Sequence, residues 1–217
     1  MKTVLNISPE KKQQRLSAKM RCCTLRESIQ YGIPPRHASA HLVDFDFDVD
    51  MMSEDGLFIT GPVGTGKTHL LSAIANYCLD EFLAGLGCYH NSSDGSVPYP
   101  NQPIFTTFPE FLFEIKRSYN KESTGPSEDE IIKKYSECEI LLLDDLGAEK
   151  ATEWSSQILF LLMDRRYSNI KKTYISSNLS LKEISNHIDD RIASRISQMC
   201  DVKKLTGKDR RMERELK

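Results

Sequence analysis

An α/β fold, with a parallel sheet covered by helices on both faces, is what this sequence predicts. From residue 56 onward, short apolar runs alternate with segments whose apolar residues recur at helical spacing. Strands that alternate with helical crossovers must pair in parallel, with the helices packed on the sheet faces. The first apolar run also leads straight into a glycine-rich octapeptide and then a helix, a strand–loop–helix order that this class uses repeatedly.

Taken in order, GLFIT (56–60) is strand-like and HLLSAIANYCLDEFL (69–83) is helical. PIFTTF (103–108) reads as a strand, and PEFLFEIKRSY (109–119) as a helix with Pro at its first position. EILLLDDL (139–146) is a continuous apolar run of the kind buried on both faces. TEWSSQILFLLMDRRYSN (152–169) is a helix capped by Thr152, and KTYISSN (172–178) is the next strand. Residues 180–196 read as a single helix whose capping box is Ser180 and Glu183. DVKKLTG (201–207) is a weak last strand. Residues 85–102 and 120–130 are turn-rich and read as surface loops.

Ahead of this pattern, residues 9–31 contain no Gly and no interior Pro, with Ser8-Pro9 as a helix start and Gly32 and Pro34-Pro35 as the stop. That predicts one helix with too few large apolar residues to fold alone. The chain therefore divides into a short basic helical appendage, 1–35, and a main domain, 36–217. Charge follows the same division: residues 1–36 carry +6, residues 203–217 carry +4, and the body between them carries −12. Basic ends on an acidic body suit an anionic partner, nucleic acid or an acidic protein face. No apolar run is long enough to cross a bilayer and the first residues lack a secretory core. The six cysteines are scattered without framework spacing, so they are read as free thiols of a cytoplasmic protein.

The octapeptide is Gly61-Pro62-Val63-Gly64-Thr65-Gly66-Lys67-Thr68, a full match to G-x-x-x-x-G-K-[ST]. Gly64 and Gly66 let the backbone curl so that N–H groups converge on phosphate oxygens. Lys67 reaches the β- and γ-phosphates, the Thr68 hydroxyl ligates Mg²⁺, and the helix that follows, beginning near His69, offers its positive end to the same anions. The apolar run 140–143 ends in Asp144 and Asp145, at the carboxyl edge of the sheet, where open α/β sheets bind ligands. Asp144 is suited to hold Mg²⁺ through its water shell and Asp145 to orient or deprotonate an attacking water. Glu149 is a weaker candidate for the same task. Asn178, where YISSN turns polar, offers a donor and an acceptor to bridge that water and the γ-phosphate, and it is equally placed to cap the helix at 180.

Arg191 and Arg195 lie one helical turn apart in DDRIASRI. By residue type alone they pair with Asp189, Asp190 or a nearby Glu on the helix surface.

GPVGTGKTHLL, ILLLDDLGAEKATEW, YISSNLSLKEI, RIASRI and LTGKDRR, in this order, resemble the AAA+ ATPases of the DnaC/IstB-like group, the replicative helicase loaders and transposition helper ATPases. GIPPRHASAHLVDF (32–45) looks like the lead-in to that domain. The resemblance covers roughly residues 32–211. It implies a five-stranded sheet of order 5-1-4-3-2 and contact of Gly61–Thr68 and His69 with ATP. It also implies Asp144 and Asp145 for metal and water, and Asn178 as a first sensor. Arg195 is implied as an arginine finger acting on a neighbouring subunit's nucleotide, and Arg211, with Arg210 as rival, as a second sensor. The implied protein is a slow ATPase, stimulated by assembly or by DNA. Its implied partners are a replicative helicase or a transposase, single-stranded DNA, and further copies of itself. Two departures stand out: the appendage is short and the loop at 85–102 is long. Nothing substantial follows the last strand, so a helical lid is absent or reduced, as the group allows. An ATP-dependent interaction module with little hydrolysis is the rival reading, because Asp145 stands where the wider superfamily has Glu.

Weaker signals remain. Cys88-Tyr89-His90 lacks the ligands of a zinc site. Trp154 and Phe160 are at core spacing. Lys116, Arg117 and Tyr119 end a helix at the nucleotide edge, where phosphate pairing and stacking would suit single-stranded DNA as well as solvent.

Overall fold

The computed structural model describes residues 24–45, 47, 49–51, 53–87, 103–119 and 125–207. Five strands form one all-parallel sheet: β1 (Gly56–Thr60), β2 (Ile104–Thr107), β3 (Ile140–Leu146), β4 (Lys172–Ser177) and β5 (Cys200–Lys204). Their order is β2-β3-β4-β1-β5, the expected order read from the other edge. The helices are α1 (Leu25–Gln30), α2 (Lys67–Gly87), α3 (Phe108–Ser118), α4 (Glu128–Glu137), α5 (Glu153–Ser168), α6 (Leu181–His187) and α7 (Asp190–Met199).

Strand alternation sorts the core into two layers. Ile59, Leu142 and Tyr174 face α2, where Leu70, Leu71, Ile74 and Cys78 meet Ile33, Ala40 and Phe45 of the segment ahead of β1. Phe58, Leu141, Leu143 and Ile175 face the other way, onto Phe111, Ile115, Ile132, Leu159, Leu162 and Ile196 of the remaining helices. Glycine at 56 is a packing necessity: a Cβ there would lie 1.7 Å from the Thr173 carbonyl oxygen. The free thiols of Cys78, Cys138 and Cys200 are buried, and burial pushes the Cys78 thiol up to about 12.

Several expectations need correction. Residues 180–196 are two helices, because Asp189 leaves the helical conformation at φ −168° and its carboxylate caps α7. The expected loop at 120–130 contains the start of α4, whose capping box is Ser127 and Glu130 and whose Ile131, Ile132 and Tyr135 are buried. The acidic run SEDE, read as loop, is a first turn that complements the helix dipole. Residues 85–87 of the expected loop at 85–102 belong to α2, which continues to Gly87; residues 88–102 lie outside the described residues. Of the expected helix over 9–31, α1 covers Leu25–Gln30 and starts at Thr24, which is extended and caps it through a capping box with Glu27; residues 9–23 lie outside the described residues.

One buried feature had no sequence signal. The Arg166 guanidinium is completely buried. It donates to the carbonyls of Tyr135 (2.8 Å), Cys138 (2.8 Å) and Lys172 (2.7 Å) and to the Thr173 hydroxyl (2.9 Å). It closes the C-terminal end of α4, whose last carbonyls have no partner within the helix, and ties that end to β4.

Candidate nucleotide site

The carboxyl ends of β1, β3 and β4 open into a cleft of about 470 Å³ lined by Gly64, Gly66, Lys67, Thr68, His69, Asp145 and Asn178, with Arg36 and His37 from the segment ahead of β1. The loop has the form its sequence demands. Gly64 and Gly66 sit at φ 79° and 94°, conformations that only glycine adopts freely. A Cβ on Gly61 would come within 2.2 Å of the Leu205 carbonyl oxygen. Thr65 donates to the Pro62 carbonyl at 2.8 Å, which fixes the turn from inside, while Pro62 and Val63 are exposed. Lys67 is buried, and its ammonium donates to the Gly61 and Pro62 carbonyls at 2.9 and 2.8 Å. A cation held against its own loop is poised to exchange carbonyls for phosphate oxygens.

The acids come from an irregularity in the sheet. β3 and β4 pair Leu143 with Ile175 and then Leu146 with Ser177, so Asp144 and Asp145 together oppose the single residue Ser176. This is a β-bulge, a device that re-aims side chains at strand ends. Asp145 takes φ 56° and lines the cleft. Asp144 is buried beside the loop, 3.4 Å from the Thr68 hydroxyl, and also accepts from Ser176. Burial pushes the Asp144 carboxyl above its usual range, against the pull of the hydrogen bond from Ser176, and the charge of Asp145 adds to the rise. Thr68 and Asp144 supply a hydroxyl and a carboxylate, the hard oxygen donors that Mg²⁺ takes, so the residues present fit that ion. Among the described residues there is no cluster of three or more His, Cys, Asp or Glu side chains able to hold a metal.

Asn178 lines the cleft and does not cap the following helix; Ser180 does. Its loop is tied down on two sides: Ser177 donates to the Leu146 carbonyl at 2.6 Å, and Thr60 donates to the Leu179 carbonyl at 2.8 Å. His69 reaches Asp44 at 2.8 Å and His37 at 3.4 Å, which fastens the segment ahead of β1 to the start of α2. Glu149 is exposed and is not among the residues lining the cleft.

The arginines of α7 stand away from this cleft. Arg191 pairs with Asp189 at 2.8 Å, as its residue type suggested, and lies over the Phe160 ring. Arg195 pairs instead with Asp164 of α5 at 2.7 Å and lies over the Tyr167 ring at 4.9 Å. Arg210 and Arg211 lie outside the described residues. Trp154 and Phe160 are only half-buried. Trp154 meets Lys116 at 5.0 Å and donates to the Tyr119 hydroxyl at 3.2 Å, so a basic and aromatic cluster does form at the end of α3.

Sequence reasoning missed Arg36 and His37 at the cleft and Ser176 beneath the acids. The first two belong to a segment without periodicity. The third sits at the polar end of its strand, where nothing marks its face.

No family model matches the chain. The replicative helicase loader DnaI of Bacillus subtilis is 29% identical over 133 residues, which is 61% of this chain and 36% of that protein. The chain thus spans little more than a third of that relative's length. A crystal structure of DnaI superposes with a TM-score of 0.58 at 23% identity, covering 81% of this chain and 95% of the other. The DnaC helicase loader superposes at 0.54 and 18% identity, with 93% of each chain covered. The fold is that of the DnaC-like AAA+ proteins. A further AAA+ structure, the replication initiator DnaA bound to AMPPCP and single-stranded DNA, matches with a TM-score of 0.57 at 20% identity over 82% of this chain and 52% of that one. The AAA+ strand order and the loop between β1 and α2 are both present here. Among the described residues no helix is long and apolar enough to cross a membrane.

Proposed function

We propose that this chain is the nucleotide-driven module of a replicative helicase loader, binding ATP with Mg²⁺, hydrolysing it slowly and assembling on single-stranded DNA. The observation that carries the reading is the convergence, in one cleft, of Lys67, Thr68, Asp145 and Asn178 at the carboxyl ends of three strands. The resemblance to DnaI and DnaC supports the choice of partner, and the DnaA complex supports nucleotide and single-stranded DNA as ligands.

In this reading the ATP phosphates take over the donors of the loop and the Lys67 ammonium, which leaves the Gly61 and Pro62 carbonyls. The Thr68 hydroxyl and, through water, the Asp144 carboxylate would hold Mg²⁺, which would supply positive charge to the phosphate oxygens. Asp145 takes the proton of the attacking water, and the Asn178 amide holds that water against the γ-phosphate. Arg195 leaves Asp164 and enters the cleft of a neighbouring copy. A guanidinium there is worth ~10³–10⁵ in rate in other phosphoryl-transfer enzymes. The cluster of Phe113, Lys116, Arg117 and Tyr119, with two exposed aromatic rings, suits stacking and phosphate contact along a single strand. Residues 1–35, which include the exposed Leu25 and Ile29 of α1, would grip the helicase.

The test is ATPase rate per subunit against protein concentration, with and without single-stranded DNA. The wild type is compared with Arg195→Ala, Lys67→Ala and a mixture of the two variants. The reading expects the rate to rise with concentration and DNA, each variant to be inactive alone, and the mixture to regain activity. A flat rate unaffected by Arg195→Ala removes the trans arginine. Nucleotide binding without phosphate release under all conditions selects the non-hydrolysing module instead, and stimulation by duplex rather than single-stranded DNA selects the transposition helper.

A further inference from the structure

Ser176 is buried completely under the two acids. Its hydroxyl donates to Asp144 Oδ1 and accepts the backbone N–H of Asp145 at 3.2 Å. One hydroxyl therefore serves both residues of the bulge, and its polarity is defined: the proton goes to Asp144, a lone pair to Asp145. The Thr68 hydroxyl lies 3.4 Å from the same Oδ1, so that oxygen has two hydroxyl donors. On the other arm, the hydrogen bond at the Asp145 nitrogen holds the one non-glycine residue of β3 at positive φ, a conformation that persists only where the surroundings enforce it.

From these contacts we infer that Ser176 is a positioning residue for the metal-binding and water-activating pair, acting through Asp144 and Asp145 without touching the nucleotide. The inference rests on the nucleotide reading above. Without the hydroxyl, Asp144 keeps one hydroxyl donor, while the Asp145 amide loses the Ser176 oxygen and the bulge its clamp. Groups that orient a metal-binding carboxylate from behind typically matter 10–100-fold for metal affinity. The loss falls on the metal-dependent part of nucleotide binding. The metal-free part depends on the loop amides and Lys67, which Ser176 does not contact among the described residues.

The experiment measures binding of a fluorescent ATP analogue to the full chain while Mg²⁺ is titrated, and again with the metal chelated. Four proteins are compared: wild type, Ser176→Ala, Ser176→Thr and Ser72→Ala. Ser72 is an equally buried serine in α2 whose hydroxyl has no partner among the described residues, so its loss controls for removing a core hydroxyl. Expected is a Mg²⁺ midpoint about 10-fold or more higher for Ser176→Ala, unchanged metal-free affinity, recovery in Ser176→Thr and wild-type behaviour for Ser72→Ala. An unchanged midpoint overturns the inference, as does an equal loss with and without metal, which would mark a damaged fold. Should Ser176→Ala not fold, Ser176→Cys, which keeps the volume and weakens the hydrogen bond, is read by the same criteria. A wild-type chain that binds no nucleotide at all removes the reading beneath the inference, and the inference with it.

Discussion

Replacing Arg166 with Met is expected to cost about 3–5 kcal/mol of stability, because several buried acceptors lose their donor at about 1–3 kcal/mol each. The figure follows from what the guanidinium leaves behind. Four acceptors within 2.9 Å lose their donor: three main-chain carbonyls and the Thr173 hydroxyl. A buried polar group left without a partner costs about 1–3 kcal/mol, and the second lone pair of each carbonyl brings the total below the simple sum. An apolar isostere can rescue a buried pair when both partners are replaced. Here three of the partners are backbone and cannot be replaced. No carboxylate among the described residues pairs with Arg166, so the loss exposes no opposite charge. Urea denaturation measures the cost directly, and the melting temperature should fall by roughly 6–20 °C for a domain of this size. Arg166→Lys should recover part of the loss, since an ammonium has three donors but no planar fork. A loss under about 1 kcal/mol for Arg166→Met would refute the reasoning, because water would then be reaching those carbonyls.

Two further outcomes follow from the ion pair and the N-terminal cap of α7. The Asp164–Arg195 pair is partly exposed and so worth ~0.2–1 kcal/mol. Asp164→Asn should therefore raise ATPase rate per subunit about 1.4- to 5-fold at limiting protein concentration by freeing the arginine, and a lowered rate would show that Asp164 helps Arg195 act. Asp189→Ala removes the α7 cap and should cost about 1 kcal/mol in denaturant unfolding. The hydrogen bond from Arg191 holds the Asp189 carboxyl below its usual value. A depressed carboxylate contributes stability above its unfolded value, ~3.9, and loses it as pH falls through the folded one. The gap between wild type and variant should hold from pH 7 to 5 and narrow below about 4; a gap that widens in acid would contradict the assignment.

What the sequence by itself determined here is local. The phosphate loop, the apolar runs of β1, β3 and β4, the caps at Thr152 and Ser180 and the two acids were legible because each depends on residues a few positions apart. Hydrophobic periodicity and turn chemistry act at that range. The break at Asp189 and the α4 start at Ser127 were written in the sequence too, but the same short polar residues serve loops and helix caps alike, and only the packing of Ile131, Ile132 and Ile192 decided between them.

Tertiary structure alone decided the rest. It set two acids against one serine through a one-residue slip between β3 and β4, an extra residue that inserts on one strand and re-aims its side chains. It brought Arg36 and His37 into a cleft with residues about thirty positions away, and buried Arg166 among carbonyls of two other elements. It also gave Arg195 a partner on another helix rather than on its own. Most of these contacts join residues far apart in the chain, and their positions follow only once the sheet order and the packing of helices on its faces are in place.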